Sequence, residues 1–136
     1  MGEKIKVAMI CDQREPAEGL KEVLRSLGME IRHLHTCQEA SGLLKQPDSA
    51  EMIFTDTVLS DGTWEDVLRL AKESHDFLPV IVVSRIPDVD LYLETLENGA
   101  FDFVTPPFLT YDLANVTGSA MYKKLVVREL PPTQAA

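Results

Sequence analysis

Short apolar runs recur along the chain, and each ends in a small polar or acidic residue. Val7-Ala8-Met9-Ile10 runs into Cys11-Asp12, Met52-Ile53-Phe54-Thr55 into Asp56, and Val80-Ile81-Val82-Val83 into Ser84. Runs without alternation are what strands covered on both faces of a parallel sheet require. Residues 29–35 are more polar and predict an edge strand, and residues 101–105 predict a fifth. Between the strands the period changes: Leu20, Val23, Leu24 and Leu27 repeat at i, i+3, i+4, i+7. Trp64, Val67, Leu68, Ala71 and Val89, Tyr92, Leu93, Leu96 do the same, so each set predicts a helix with one buried stripe. Pro16 suits a first helical turn, and Gly28 and Gly99 suit helix ends. Thr36 with Glu39 and Thr63 with Asp66 have the spacing of a capping box. Two further helices are expected over residues 37–45 and 111–127, the last carrying a segment of low propensity at 115–119.

Strict strand–helix alternation predicts an α/β fold, a doubly wound five-stranded parallel sheet with helices on both faces. The 136 residues suit one domain, expected over 4–127 with a frayed tail at 128–136. Ligands of such sheets bind outside the carboxyl ends of the strands, which predicts that Asp12, Asp56 and Ser84 converge.

Charge and composition narrow the function. With 22 acidic against 13 basic residues the net charge is -9, which disfavours direct nucleic-acid binding. Lys123-Lys124 with Arg128 reads as a basic helix end complementing the helix dipole. No apolar run reaches membrane-spanning length and Met1 to Lys6 lacks a signal-peptide core, so a cytoplasmic protein without a membrane partner is expected. Cys11 and Cys37 read as ordinary thiols. His33, His35 and Cys37 alternate as on one strand face, but an edge strand simply exposes histidines and no fourth ligand is visible.

Four motifs, in order and at suitable intervals, resemble the receiver domain of bacterial two-component response regulators. They are Cys11-Asp12, Asp56-Thr-Val-Leu-Ser-Asp-Gly62, Ser84, and Gly99-Ala-Phe-Asp-Phe-Val-Thr-Pro-Pro-Phe108. The likeness covers about residues 4 to 126, and the last motif looks most like receivers of nitrogen-regulator-type activators. The resemblance implies a flavodoxin-like receiver fold with strand order 2-1-3-4-5. It makes Asp56 the candidate phosphoacceptor, with no enzymatic activity beyond self-phosphorylation from a donor. It further implies Mg²⁺ held by Asp12, Asp56 and the backbone carbonyl of Val58, since that ion favours oxygen ligands. Ser84 matches the hydroxyl that contacts the phosphoryl group and Phe103 the switch aromatic; a strand-end serine and a half-buried core Phe explain both equally well. Pro106-Pro107 aligns with a peptide commonly cis in the family.

Two positions depart from the family pattern. Cys11 replaces one of two adjacent acids, and a thiol is a poor Mg²⁺ ligand, so weak metal binding is expected. Pro106 stands where the family has a lysine that pairs with the phosphoryl group, and proline supplies no cation. Arg85, where receivers usually carry a small residue, either obstructs the pocket or supplies the missing charge.

Three functions compete on these residues. The first is a receiver in a two-component phosphorelay, partnered by a histidine kinase or other phosphodonor and by a downstream protein or fused output domain. The second is a pseudo-receiver, an interaction domain that is never phosphorylated. The third, a flavin carrier, lacks the Ser/Thr/Gly-rich phosphate loop after the first strand, where this chain has Cys-Asp-Gln-Arg-Glu-Pro. In the family, signals pass through the fourth helix, fifth strand and fifth helix. Here that face offers Tyr92, acidic Asp90, Glu94 and Glu97, and basic Lys123, Lys124 and Arg128, a set suited to a homodimer.

Overall fold

The computed structural model describes residues 4–74 and 76–129, so residues 130–136 of the expected tail lie outside the described residues. Five strands form one parallel sheet: β1 (Lys6–Ile10), β2 (Glu30–Leu34), β3 (Met52–Asp56), β6 (Val80–Val83) and β7 (Asp102–Val104). Their spatial order is β2-β1-β3-β6-β7. Two-residue strands β4 (Val58–Leu59) and β5 (Gly62–Thr63) form a separate antiparallel hairpin in the loop after β3. Counted without that hairpin the sheet order is 2-1-3-4-5, the doubly wound arrangement expected. The helices are α1 (Ala17–Ser26), α2 (Cys37–Leu44), α3 (Trp64–Lys72), α4 (Val89–Glu97) and α5 (Thr110–Glu129).

Alternate residues of the inner strands face opposite ways, which splits the core in two. Ala8, Ile10, Ile53, Val80 and Val82 pack with Trp64, Val67 and Leu68 of α3 and Leu43 of α2. Val7, Met9, Met52, Phe54, Ile81 and Val83 pack with Leu20 and Leu24 of α1 and Leu113 and Ala120 of α5. All five residues of β3 are buried, and β2 is partly exposed as the sheet's edge. Winding reverses between β1 and β3, whose register pairs Ile10 with Thr55, so their ends open a crevice at Cys11, Asp12 and Asp56.

Local signals set several boundaries as expected. The Thr63 side chain accepts from the Glu65 N–H, and Asp66 Oδ2 accepts the Thr63 N–H at 2.9 Å. The Thr36 hydroxyl accepts from Glu39 N–H at 3.1 Å, but Glu39 reaches past the cap to the His35 N–H at 2.7 Å. Gly28 ends α1 with φ +85°, a conformation side chains resist.

Two expectations fail. The stripe assigned to α4 is not buried: Val89 is 71% exposed, and Tyr92 and Leu93 also face outward. The helix turns Leu91 and Thr95 inward instead, Thr95 being fully buried with its hydroxyl donating to the Tyr92 carbonyl at 2.8 Å. That back-bond satisfies the threonine within its own helix and makes its burial tolerable. The second failure is Lys124, expected on a basic surface. It is 2% exposed, and its Nζ lies 3.4 Å from the Glu51 carbonyl. Burial lowers its pKa. Its long stem fills the sheet-facing side of α5 and carries the ammonium to the base of the sheet.

Candidate functional site

Asp56 is the last residue of β3 and only 5% exposed. A buried carboxylate needs donors to offset its lost hydration, and this one has them on both oxygens. Oδ1 accepts the Thr57 N–H at 2.7 Å, and Oδ2 accepts from an Arg85 guanidinium nitrogen at 3.0 Å. The Arg85 side chain is 48% exposed, so it enters from the solvent side, from the loop after β6. Arg85 thus forms an ion pair with Asp56 across the end of the sheet.

Cys11 stands against the same carboxylate. Its thiol donates to the Gln13 carbonyl at 3.2 Å and lies 3.5 Å from Asp56 Oδ2. Burial, reinforced by the Asp56 charge, pushes its pKa up to about 11, so it faces Asp56 as a neutral group. The Cys11 carbonyl accepts from His33 Nε2 at 2.8 Å, and His33 Nδ1 accepts from Lys21 Nζ at 3.0 Å. An ammonium can only donate, which defines a neutral ring protonated at Nε2. Burial lowers the His33 pKa, consistent with that tautomer. His33 and His35 stack at 4.6 Å, and among the described residues no group of three or more His, Cys, Asp or Glu is placed to hold a metal ion.

Asp12 lies next to Cys11 beyond the end of β1, and its Oδ2 accepts the Ser60 N–H at 3.2 Å. This ties it to the turn of the β4–β5 hairpin, whose first residue is Val58. The far end of that turn is held by Asp61, which accepts the N–H groups of Cys37 and Gln38 at 2.8 and 3.0 Å. These donors at the start of α2 lower the Asp61 pKa. Gly62 permits the approach: a Cβ there would stand 2.6 Å from Asp66 Oδ2 and 2.9 Å from Cys37 Sγ. Two carboxylates and a main-chain carbonyl suit a hard divalent cation in kind. The neutral thiol and the guanidinium leave less negative charge for it than a pair of adjacent acids would.

Ser84 ends the β6 side of the crevice. Its hydroxyl donates to the Ile86 carbonyl at 2.8 Å and thus closes the turn that carries Arg85. Phe103 of β7 is half-buried and meets Tyr92 of α4 edge-on, with centroids 5.7 Å apart. Pro106 follows β7, and the Pro106–Pro107 peptide is cis.

The family model for the response regulator receiver domain matches residues 7–118. The chain belongs to that family. The response regulator protein PilR of Pseudomonas aeruginosa is 28% identical to it over 102 residues, covering 75% of this chain and 23% of PilR. The regulatory protein LuxO of Vibrio vulnificus is 32% identical over 101 residues, covering 73% of this chain and 22% of LuxO. The chain therefore spans under a quarter of the length of either relative. A receiver domain protein from Clostridium thermocellum superposes with a TM-score of 0.78 at 22% identity, covering 90% of this chain and 98% of that one, which shows the shared fold.

Within this receiver, sequence reasoning missed the Asp61 anchor on α2 and the His33–Lys21 support behind Cys11. Both join residues from different elements, 24 and 12 positions apart. The alternation of His33 and His35 was the visible hint of the second, but it suggested exposure, not a bond to the adjacent strand.

Proposed function

We propose that this receiver takes a phosphoryl group on Asp56 from a histidine kinase or a small phosphodonor and passes the change to a separate or fused output partner. The observation that carries the reading is the Asp56 carboxylate itself, buried at the end of β3 yet reached from solvent by a guanidinium. A carboxylate nucleophile is weak, and phosphoryl transfer depends on positioning and on neutralising charge. The Thr57 N–H orients one oxygen and Arg85 the other. Asp12, Asp56 and the Val58 carbonyl would hold Mg²⁺, which when bound neutralises phosphoryl oxygens. With Cys11 neutral, that binding is weaker than at a site with two adjacent acids.

Ser84 and Phe103 form the path outward. A phosphoryl group draws the Ser84 hydroxyl from the Ile86 carbonyl, and the freed turn lets Phe103 and Tyr92 repack. The face formed by α4, β7 and α5 receives the change; its exposed Val89, Tyr92 and Leu93 lie among Asp90, Glu94 and Glu97, opposite in charge to Lys123 and Arg128. Such a face suits a second copy of the chain.

Intact-mass measurement after incubation with acetyl phosphate and Mg²⁺ tests the acceptor. One phosphoryl group is expected on the natural chain and none on Asp56→Asn. An unlabelled natural chain, or labelling that survives Asp56→Asn, removes Asp56 from this role.

A further inference from the structure

We propose that Arg85 is the phosphoryl-binding cation of this site, acting from the loop after β6 in place of a lysine after β7. The inference rests on Asp56 being the acceptor and assigns the charge that makes transfer feasible there.

Three features carry it. Pro106 leaves the β7 side of the crevice without a side-chain cation, whereas the Arg85 guanidinium is already 3.0 Å from Asp56 Oδ2. Its side chain is half exposed, so the guanidinium meets Asp56 while still open to solvent. A guanidinium has five N–H donors in a planar fork, so it can keep one on Asp56 while others take phosphoryl oxygens. Finally, Arg85 is held in the turn closed by the Ser84 hydroxyl on the Ile86 carbonyl. Cation and switch hydroxyl therefore ride on one short loop, which leads directly to Asp88, the residue capping α4 through the Leu91 N–H at 3.0 Å. A phosphoryl group that pulls on Arg85 pulls on the entry to α4.

With acetyl phosphate as donor, a carboxylate oxygen of Asp56 attacks phosphorus. The new O–P bond forms as the bond from phosphorus to the acetyl oxygen breaks, and acetate leaves with the electron pair. No proton is transferred, because nucleophile and leaving group are both carboxylates. Negative charge spread over the three equatorial oxygens falls where Arg85 can meet it.

The test compares acylphosphate formation on Asp56 by intact mass in the natural chain, Arg85→Ala, Arg85→Lys and Arg85→Ala with Pro106→Lys, each checked for folding by thermal melting. Arg85→Ala should label about a hundredfold more slowly, the loss typical of removing one preorganised donor. Arg85→Lys should fall between, and adding Pro106→Lys to Arg85→Ala should recover at least about tenfold of the loss. Labelling of Arg85→Ala as fast as the natural chain, or faster, overturns the inference and leaves Asp56 as acceptor. If Arg85→Ala does not fold, Arg85→Lys decides, an unchanged rate with its single point charge overturning the planar-fork assignment. Absence of labelling in the natural chain overturns the acceptor reading and this one together.

Discussion

Replacing Cys11 with Asp restores an acid to the crevice, and its effect on metal-free stability follows from one contact. The Cys11 sulfur lies 3.5 Å from Asp56 Oδ2, and both residues are buried. At that separation two unit charges repel by about 5 kcal/mol with an effective dielectric constant near 20. Two effects reduce this. Arg85 already neutralises part of the Asp56 charge, and the introduced acid can take up a proton, which from the free-aspartate value near 4 costs about 4 kcal/mol at pH 7. Cys11→Asp should therefore lose about 2–4 kcal/mol at pH 7 in a chelator. Urea denaturation with EDTA and with Mg²⁺ measures it. The midpoint should fall in EDTA and recover with Mg²⁺, because a ligand bound only by the folded chain stabilises it. The penalty should also shrink as pH falls toward the carboxylate range, since protonating the introduced acid removes the repulsion. EDTA stability equal to that of the natural chain, or a deficit that Mg²⁺ leaves untouched, would refute the placement of position 11 against Asp56 as a metal-controlled charge site.

Three further outcomes are expected. His33 is held neutral with its pKa lowered chiefly by burial, so as pH drops through about 6.5 the unfolded chain takes up its proton first. Stability should decline from there down to the lowered folded value, and His33→Gln should flatten that slope in melting curves between about pH 5 and 8. Gly62→Ala pushes a methyl toward Asp66 Oδ2 and Cys37 Sγ; moving Asp66 breaks the Thr63 cap, and a loss of about 1–2 kcal/mol in urea unfolding is expected. Full stability there would mean that the hairpin and α2 separate at no cost. Charge reversal at Glu94 and Glu97 should weaken self-association in sedimentation, and association that survives it unaltered places the interface elsewhere.

The layers of this protein were written in its hydrophobic pattern. Unbroken apolar runs such as Met52-Ile53-Phe54 and Val80-Ile81-Val82-Val83 suit strands of a sheet covered on both faces, and the Trp64, Val67, Leu68, Ala71 stripe specified the inner side of α3. Because strand ends follow from where those runs stop, the neighbourhood of Asp12, Asp56 and Ser84 was also legible, as was the Thr63–Asp66 cap, whose partners are three residues apart. The face that α4 buries was not. Periodicity shows that one side of a helix is apolar, but whether a neighbour covers that side depends on the rest of the fold. Here the core takes Leu91 and Thr95 and leaves Val89, Tyr92 and Leu93 to solvent. The same limit hid Lys124, whose charge announced a surface residue while its stem filled a gap under α5. Tertiary structure also gave Arg85 its partner. An arginine after a strand is locally neither obstruction nor partner; it becomes the charge on Asp56 only because β3 and β6 lie side by side, in register from Ile53 with Val80 to Asp56 with Val83. Local spacing encodes contacts within a turn or two of helix, whereas pairs 29 residues apart exist only once the sheet has brought its strand ends together.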